Sequence, residues 1–102
     1  MVVSVLDVVA VCDLAKRGRV RQHHTWHGSQ RHGIPFHVAA TALSMSQRVV
    51  QDSRPGPDGK PRHPNGYVAW ATTPTTTLRI DFNLGTDDDG DLLVLVTAME
   101  IT

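Results

Sequence analysis

Hydrophobic positions follow two rhythms along the chain, a helical one early and a two-residue one late. Ser4 stands where an N-cap would, and Val5, Leu6, Val9 and Cys12 recur at helical spacing as far as Lys16, Arg17 and the stop at Gly18. A helix over about 4–17 is therefore expected, with Leu6, Val9 and Asp13 on one face. The polar run RVRQHHTW (19–26) predicts a short extended segment. Gly33 then breaks the chain, Ile34 is pushed out of helix by the proline after it, and Pro35 suits a first helical position. Phe36, Ala39 or Ala40, and Leu43 repeat on one side of a second helix ending near Met45.

From there the period changes. RVVQD (48–52) reads as a strand, and 53–66 carries four of the six prolines, so it is a loop, long enough to be uncommon unless functional or mobile. Strands follow at 66–73 and 76–84, a turn at 85–91 and a strand at 92–101. In the 76–84 strand Leu78, Ile80 and Phe82 point one way, and Thr77, Arg79, Asp81 and Asn83 the other. The last strand is almost wholly apolar, as expected of a central strand covered on both faces. The order predicts an α+β fold: two helices from the N-terminal half packed on a mainly antiparallel four-stranded sheet. At 102 residues this is one domain, with 1–18 as an additional helix ahead of a core over 19–102.

The formal net charge is zero, yet the halves differ. Residues 1–63 hold nine of the ten Lys/Arg, all six histidines and four of the ten acids, whereas 64–102 hold Arg79 against six acids. That split suggests an anion-facing side, or two halves that neutralise each other in the fold. Cys12 is the single cysteine, so no internal disulfide forms. The apolar opening lacks a basic leader and is interrupted by Asp7 and Asp13, and no apolar run approaches the ~20 residues of a membrane helix. The expectation is a cytoplasmic protein that does not engage membranes.

The stretch HTWHGSQRHGIPFHVA (24–39), followed by an apolar strand, a basic loop and a Tyr-containing strand, resembles the BrnT-like toxins of the broad RelE-like ribonuclease superfamily. His24 matches the early histidine of those proteins, and Arg31-His32-Gly33-Ile34-Pro35-Phe36 their central motif; the likeness covers about 20–101. Gly28 and Met99 stand where relatives carry basic residues. The resemblance implies a metal-independent endoribonuclease of a toxin–antitoxin system, without cofactor, whose partners are RNA and a cognate antitoxin protein, with a homodimer as a further option.

Metal-free RNA cleavage needs a base for the 2′-hydroxyl proton, an acid for the leaving oxygen and fixed cations for the phosphorane. Histidine suits the first two roles and arginine the third. His24 is the base or acid chosen on family position, with Arg79, Tyr67 and Arg31 completing the catalytic set, and Arg19, Arg21, His27, Arg54 and Arg62 as RNA contacts. If 19–26 is extended, His24 shares a face with Trp26, and His23 with Thr25. The plainer reading is a set of solvated polar residues, with Arg79 in an ion pair with Asp81, Glu100 or Asp52. Histidine spacings at 23/27 and 32/37 are usable for metal, but no HExxH-type motif or nearby cysteine supports a metal site, and the DDDGD run lacks a calcium loop's closing Glu. The nuclease reading requires His24 and Arg79 to face one concave patch, and fails if Arg79 is locked in a buried carboxylate pair. Its rivals are an inactive nucleic-acid- or protein-binding module on the same scaffold, and a small inhibitor of another enzyme.

Overall fold

The computed structural model describes residues 6–24, 26, 33–52, 54–60 and 65–101. In order these form α1 (Val8–Lys16), β1 (Val20–Gln22), α2 (Phe36–Leu43), β2 (Ser46–Gln51), β3 (Gly66–Thr72), β4 (Thr77–Asp87) and β5 (Gly90–Ile101). The fold is α+β, but the sheet has five strands and is mixed, in the order β1-β5-β4-β3-β2. β2 to β5 pair antiparallel in sequence order, forming a meander. The fifth strand is the short segment after the first helix, which docks parallel to β5 with Val20 opposite Leu93 and Gln22 opposite Leu95.

Asp7, not Ser4, caps α1: its side chain accepts from the Ala10 amide at 2.8 Å, and Ser4 lies outside the described residues. Gly18, at φ +74°, ends the helix in the left-handed conformation that glycine adopts without strain. The buried residues of α1 are Val11 and Leu14; Val9 is 73% exposed, so the expected Leu6–Val9–Asp13 face is not the one the helix buries. α2 buries Ala39, Ala42 and Leu43, and its small alanines allow close approach to the strands. Beneath both helices lie Tyr67, Ala69 and Ala71 of β3, Leu78, Ile80 and Phe82 of β4, and Leu93, Leu95 and Ala98 of β5. The register pairs Ala71 with Leu78, Ala69 with Ile80 and Tyr67 with Phe82, so alternate residues supply one continuous apolar face. Trp26 meets Phe36 edge-on at 5.8 Å.

Both helices sit on this one face. β5 is central because strands pair along both its edges, not because both faces are covered; Val94, Val96, Thr97 and Met99 stay half-exposed. The acidic 85–91 segment is less loop than expected, since β4 continues to Asp87 and β5 begins at Gly90, leaving Asp88 and Asp89 as a two-residue turn. Gly90, at φ +118°, supplies the backbone angle that turn requires. Among the described residues no helix is long and apolar enough to cross a membrane.

Candidate functional site on the open sheet face

Opposite the helices, the same alternation assembles a polar face. Trp70 pairs with Arg79, Val68 with Asp81 and Gly66 with Asn83, and Arg48 of the edge strand lies opposite Trp70. On β1 Val20 packs against the core, so Arg21 and the following His23 belong to the open face; the His23 amide continues the ladder to the Leu95 carbonyl at 2.9 Å.

A cavity of about 160 Å³ opens where β1 and β2 end and β3 begins, across the middle of β4 and β5. His23, Asp52, Arg54, Tyr67, Asp81 and Asn83 are its polar lining. The register slips between Asp81 and Phe82: Asp81 pairs with Thr97 and Phe82 with Leu95, so Val96 is the extra residue, and it too lines the cavity. A bulge of this kind bends a strand and re-aims its side chains.

The charges are ordered into a chain. Asp52 is buried at 6% exposure and grips Arg54 in a fork, Nε to Oδ1 at 2.9 Å and Nη2 to Oδ2 at 2.7 Å. The Arg54 amide also donates to Oδ1 at 3.2 Å, and Arg54 Nη2 lies 3.9 Å from Asp81. Asp81 in turn accepts from Arg79 Nε at 3.2 Å. Hydrogen bonding to Asp52 raises the Arg54 pKa still further, so it stays a cation. Burial pushes the His23 imidazole below its ordinary value, and the neighbouring His24 adds to this. His23 is thereby favoured as the neutral base at physiological pH.

The expected residues fare unequally. His24 is exposed, its ring 4.1 Å from that of His23 and tilted by 30°, and it does not line the cavity. His23, one residue earlier, is the histidine that lines it. Arg79 is on the open face as expected, in the pair with Asp81 that was the alternative, half-buried at 30% and 19% side-chain exposure; like His24 it does not line the cavity, so the concave patch expected to join those two residues is built from His23 and Arg54 instead. Among the described residues the two terminal nitrogens of Arg79 meet no acceptor. Tyr67 borders the cavity, but its ring is buried and stacked on Phe82 at 5.7 Å, which leaves little face for a base. Arg54 is in the cavity, held by Asp52. Arg19 is committed elsewhere: it binds the Asp87 carboxylate and the Gly90 and Asp91 carbonyls at 3.2 Å each, and Arg21 lies 3.8 Å from Asp87. These contacts fasten β1 to the β4–β5 hairpin, outside the cavity lining. Arg31, His27 and Arg62 lie outside the described residues.

Sequence reasoning missed His23, Asp52, Asp81 and Asn83 as members of one site. Asp81 and Asn83 were legible as neighbours of Arg79 on the polar face, whereas Asp52 and His23 arrive through pairing between distant strands. Among the described residues, no group of three or more His, Cys, Asp or Glu side chains is arranged to hold a metal ion. No protein-family model matches the chain, and no curated protein or solved structure shows a significant match to it.

Proposed function

We propose that this chain is a metal-independent endoribonuclease of the toxin type that works from the cavity on the open sheet face, with His23 as its base. The observation that carries the reading is the meeting of a depressed-pKa imidazole with a rigidly held guanidinium in one concavity: His23 and Arg54 both line it. In the reaction His23 takes the proton from a ribose 2′-hydroxyl, whose oxygen attacks the adjacent phosphorus. The 5′-oxygen leaves with a proton, and a 2′,3′-cyclic phosphate remains. Two tilted rings 4.1 Å apart cannot flank a phosphate from both sides, so His24 serves as a neighbour that adds to the burial keeping His23 neutral. Tyr67 is the remaining neutral proton carrier in the lining and is assigned to the leaving oxygen. Among the described residues Arg54 keeps Nη1 outside its fork with Asp52 as a donor toward the phosphorane oxygens, while Arg79 stands beside the cavity on Asp81. A cognate protein antitoxin that covers this face, and a cytoplasmic setting, belong to the same proposal.

One observation favours the second reading, an inactive nucleic-acid-binding module: Asp52 and Asp81 already offset Arg54 and Arg79. The test is cleavage of labelled RNA in chelator, with the product ends identified, alongside growth on expression of the chain. The proposal predicts cyclic-phosphate ends and growth arrest, both lost on His23→Gln with a fall of roughly 10²–10⁴ in rate. Cleavage at the parental rate by the His23→Gln protein sinks it. RNA bound but left intact selects the binding module.

A further inference from the structure

Beyond the cavity, the open face carries an aromatic side chain with a cation on it. The Arg48 guanidinium lies 4.9 Å from the centre of the Trp70 ring, the two residues being register partners on β2 and β3. Trp70 is half-buried and Arg48 exposed, and among the described residues Arg48 has no carboxylate partner. On its other side Trp70 is the register partner of Arg79, whose terminal nitrogens meet no acceptor among the described residues. Trp70 stands four residues along β3 from Gly66 in the cavity lining, a distance of about 13 Å. Among the described residues the surface thus runs from cavity to tryptophan with Arg54, Arg79 and Arg48 along it against Asp52 and Asp81, and so with an excess of positive charge.

We infer that Arg48 and Trp70 form a stacking platform for an unpaired base, which makes single-stranded RNA the substrate of the cavity. The inference rests on the ribonuclease reading for what happens in the cavity, but the platform can be tested without it. A base stacks on an aromatic face or on a guanidinium plane only once it is splayed out of a helix, whereas a duplex offers a rod of phosphates with its bases paired inward. A base that takes the place of the Arg48–Trp70 contact frees Arg48 to meet the adjoining phosphate, and Arg79 lies within the same track. This arrangement favours a nucleic-acid strand over an acidic peptide, which would use the arginines and leave the indole without a matching planar group.

The experiment is titration of the full chain with fluorescein-labelled unstructured 12-nucleotide RNA, and with a duplex of equal length, read by anisotropy and by tryptophan emission. The single strand should bind at least tenfold more tightly than the duplex and quench the emission of Trp70; Trp26, buried at 6% exposure, supplies an unresponsive background. Trp70→Leu should weaken single-strand binding about tenfold, Trp70→Phe should restore most of it, and Arg48→Gln should lower the salt slope by about one counterion. Circular dichroism identifies a variant that misfolds, and in that event the quench and the duplex comparison on the parent chain decide. Equal affinity for strand and duplex, no quench, or unchanged binding by Trp70→Leu overturns the platform. Binding through Trp70 by a chain that cleaves nothing leaves the platform standing and removes the nuclease; cleavage with the KM untouched by Trp70→Leu does the reverse.

Discussion

Asp52 and Arg54 face each other across a single residue and close a two-bond fork, and of the two only Asp52 is buried. The asymmetry matters because the carboxylate gives up its water while the guanidinium, at 48% exposure, keeps half of its own. Removing the arginine takes a two-bond fork away from a buried carboxylate. Arg54→Ala should destabilise the fold by about 1–3 kcal/mol, at the low end of buried-pair losses because the pair reaches solvent. Asp52→Asn should cost less, since the amide keeps the shape and one acceptor. Urea unfolding of both variants and of the double variant measures the coupling; a coupling near zero would contradict the fork as a stabilising contact.

The pH dependence of the site follows from His23. Its pKa is lowered by burial and by His24, so the folded chain prefers the neutral ring. Above the ordinary histidine value of ~6.5 the group adds nothing to stability; as pH falls through that value the unfolded chain takes up a proton that the folded one refuses, and stability declines. On the proposed ribonuclease reading, cleavage should accordingly hold its rate to a lower pH than an ordinary histidine base would allow. His24→Ala removes one source of the shift and should move the acidic limb of the rate profile upward. NMR titration of the two rings provides the check, and a His23 ring that titrates above ~6.5 would remove the assignment.

A second titration concerns the strand that carries this histidine. Arg19 holds the Asp87 carboxylate below its ordinary value of 3.8, with the Asp89 amide as a second donor. A carboxylate with a depressed pKa contributes stability at neutral pH that is lost as pH falls through its folded-state titration. Asp87→Asn should make unfolding less acid-sensitive while lowering stability at pH 7. It should also speed hydrogen exchange in Val20–Gln22, because β1 is tied to the hairpin by these contacts. Equal exchange in parent and variant would show that β1 docks without them.

The two faces of α1 and α2 give the contrast that tests the packing. Leu43 is fully buried, and Leu43→Ala should cost about 2–5 kcal/mol. Val9 is 73% exposed, and Val9→Ser should fall within about 0.5 kcal/mol of the parent. Thermal unfolding of the two variants distinguishes this packing from the opposite face of α1.

The meander was readable because one signal dominated it: in Leu78-Arg79-Ile80-Asp81-Phe82 the alternation fixes both strand and face. α1 was harder, since with Val8, Val9, Val11 and Cys12 in one stretch no single stripe stands out, and the capping Asp7 sets the phase. The parallel pairing of β1 left no local trace, because three residues carry too short a pattern to announce a partner 73 positions away. For the same reason the choice between His23 and His24 could not be made locally. It turns on β1 ending at Gln22: one residue of ladder beyond it puts His23 beside Arg21's face, and the chain turns before His24 can take up a strand position.

That parallel pairing also sets the order of events as the chain is made. Val20 is held against Leu93, so the imidazole next to β1 has no fixed place until β5 has left the ribosome and its long loop has closed. An incomplete chain holds its histidine and its arginine fork apart. The pocket is thus a product of the completed sheet and has no precursor in any single hairpin of the chain.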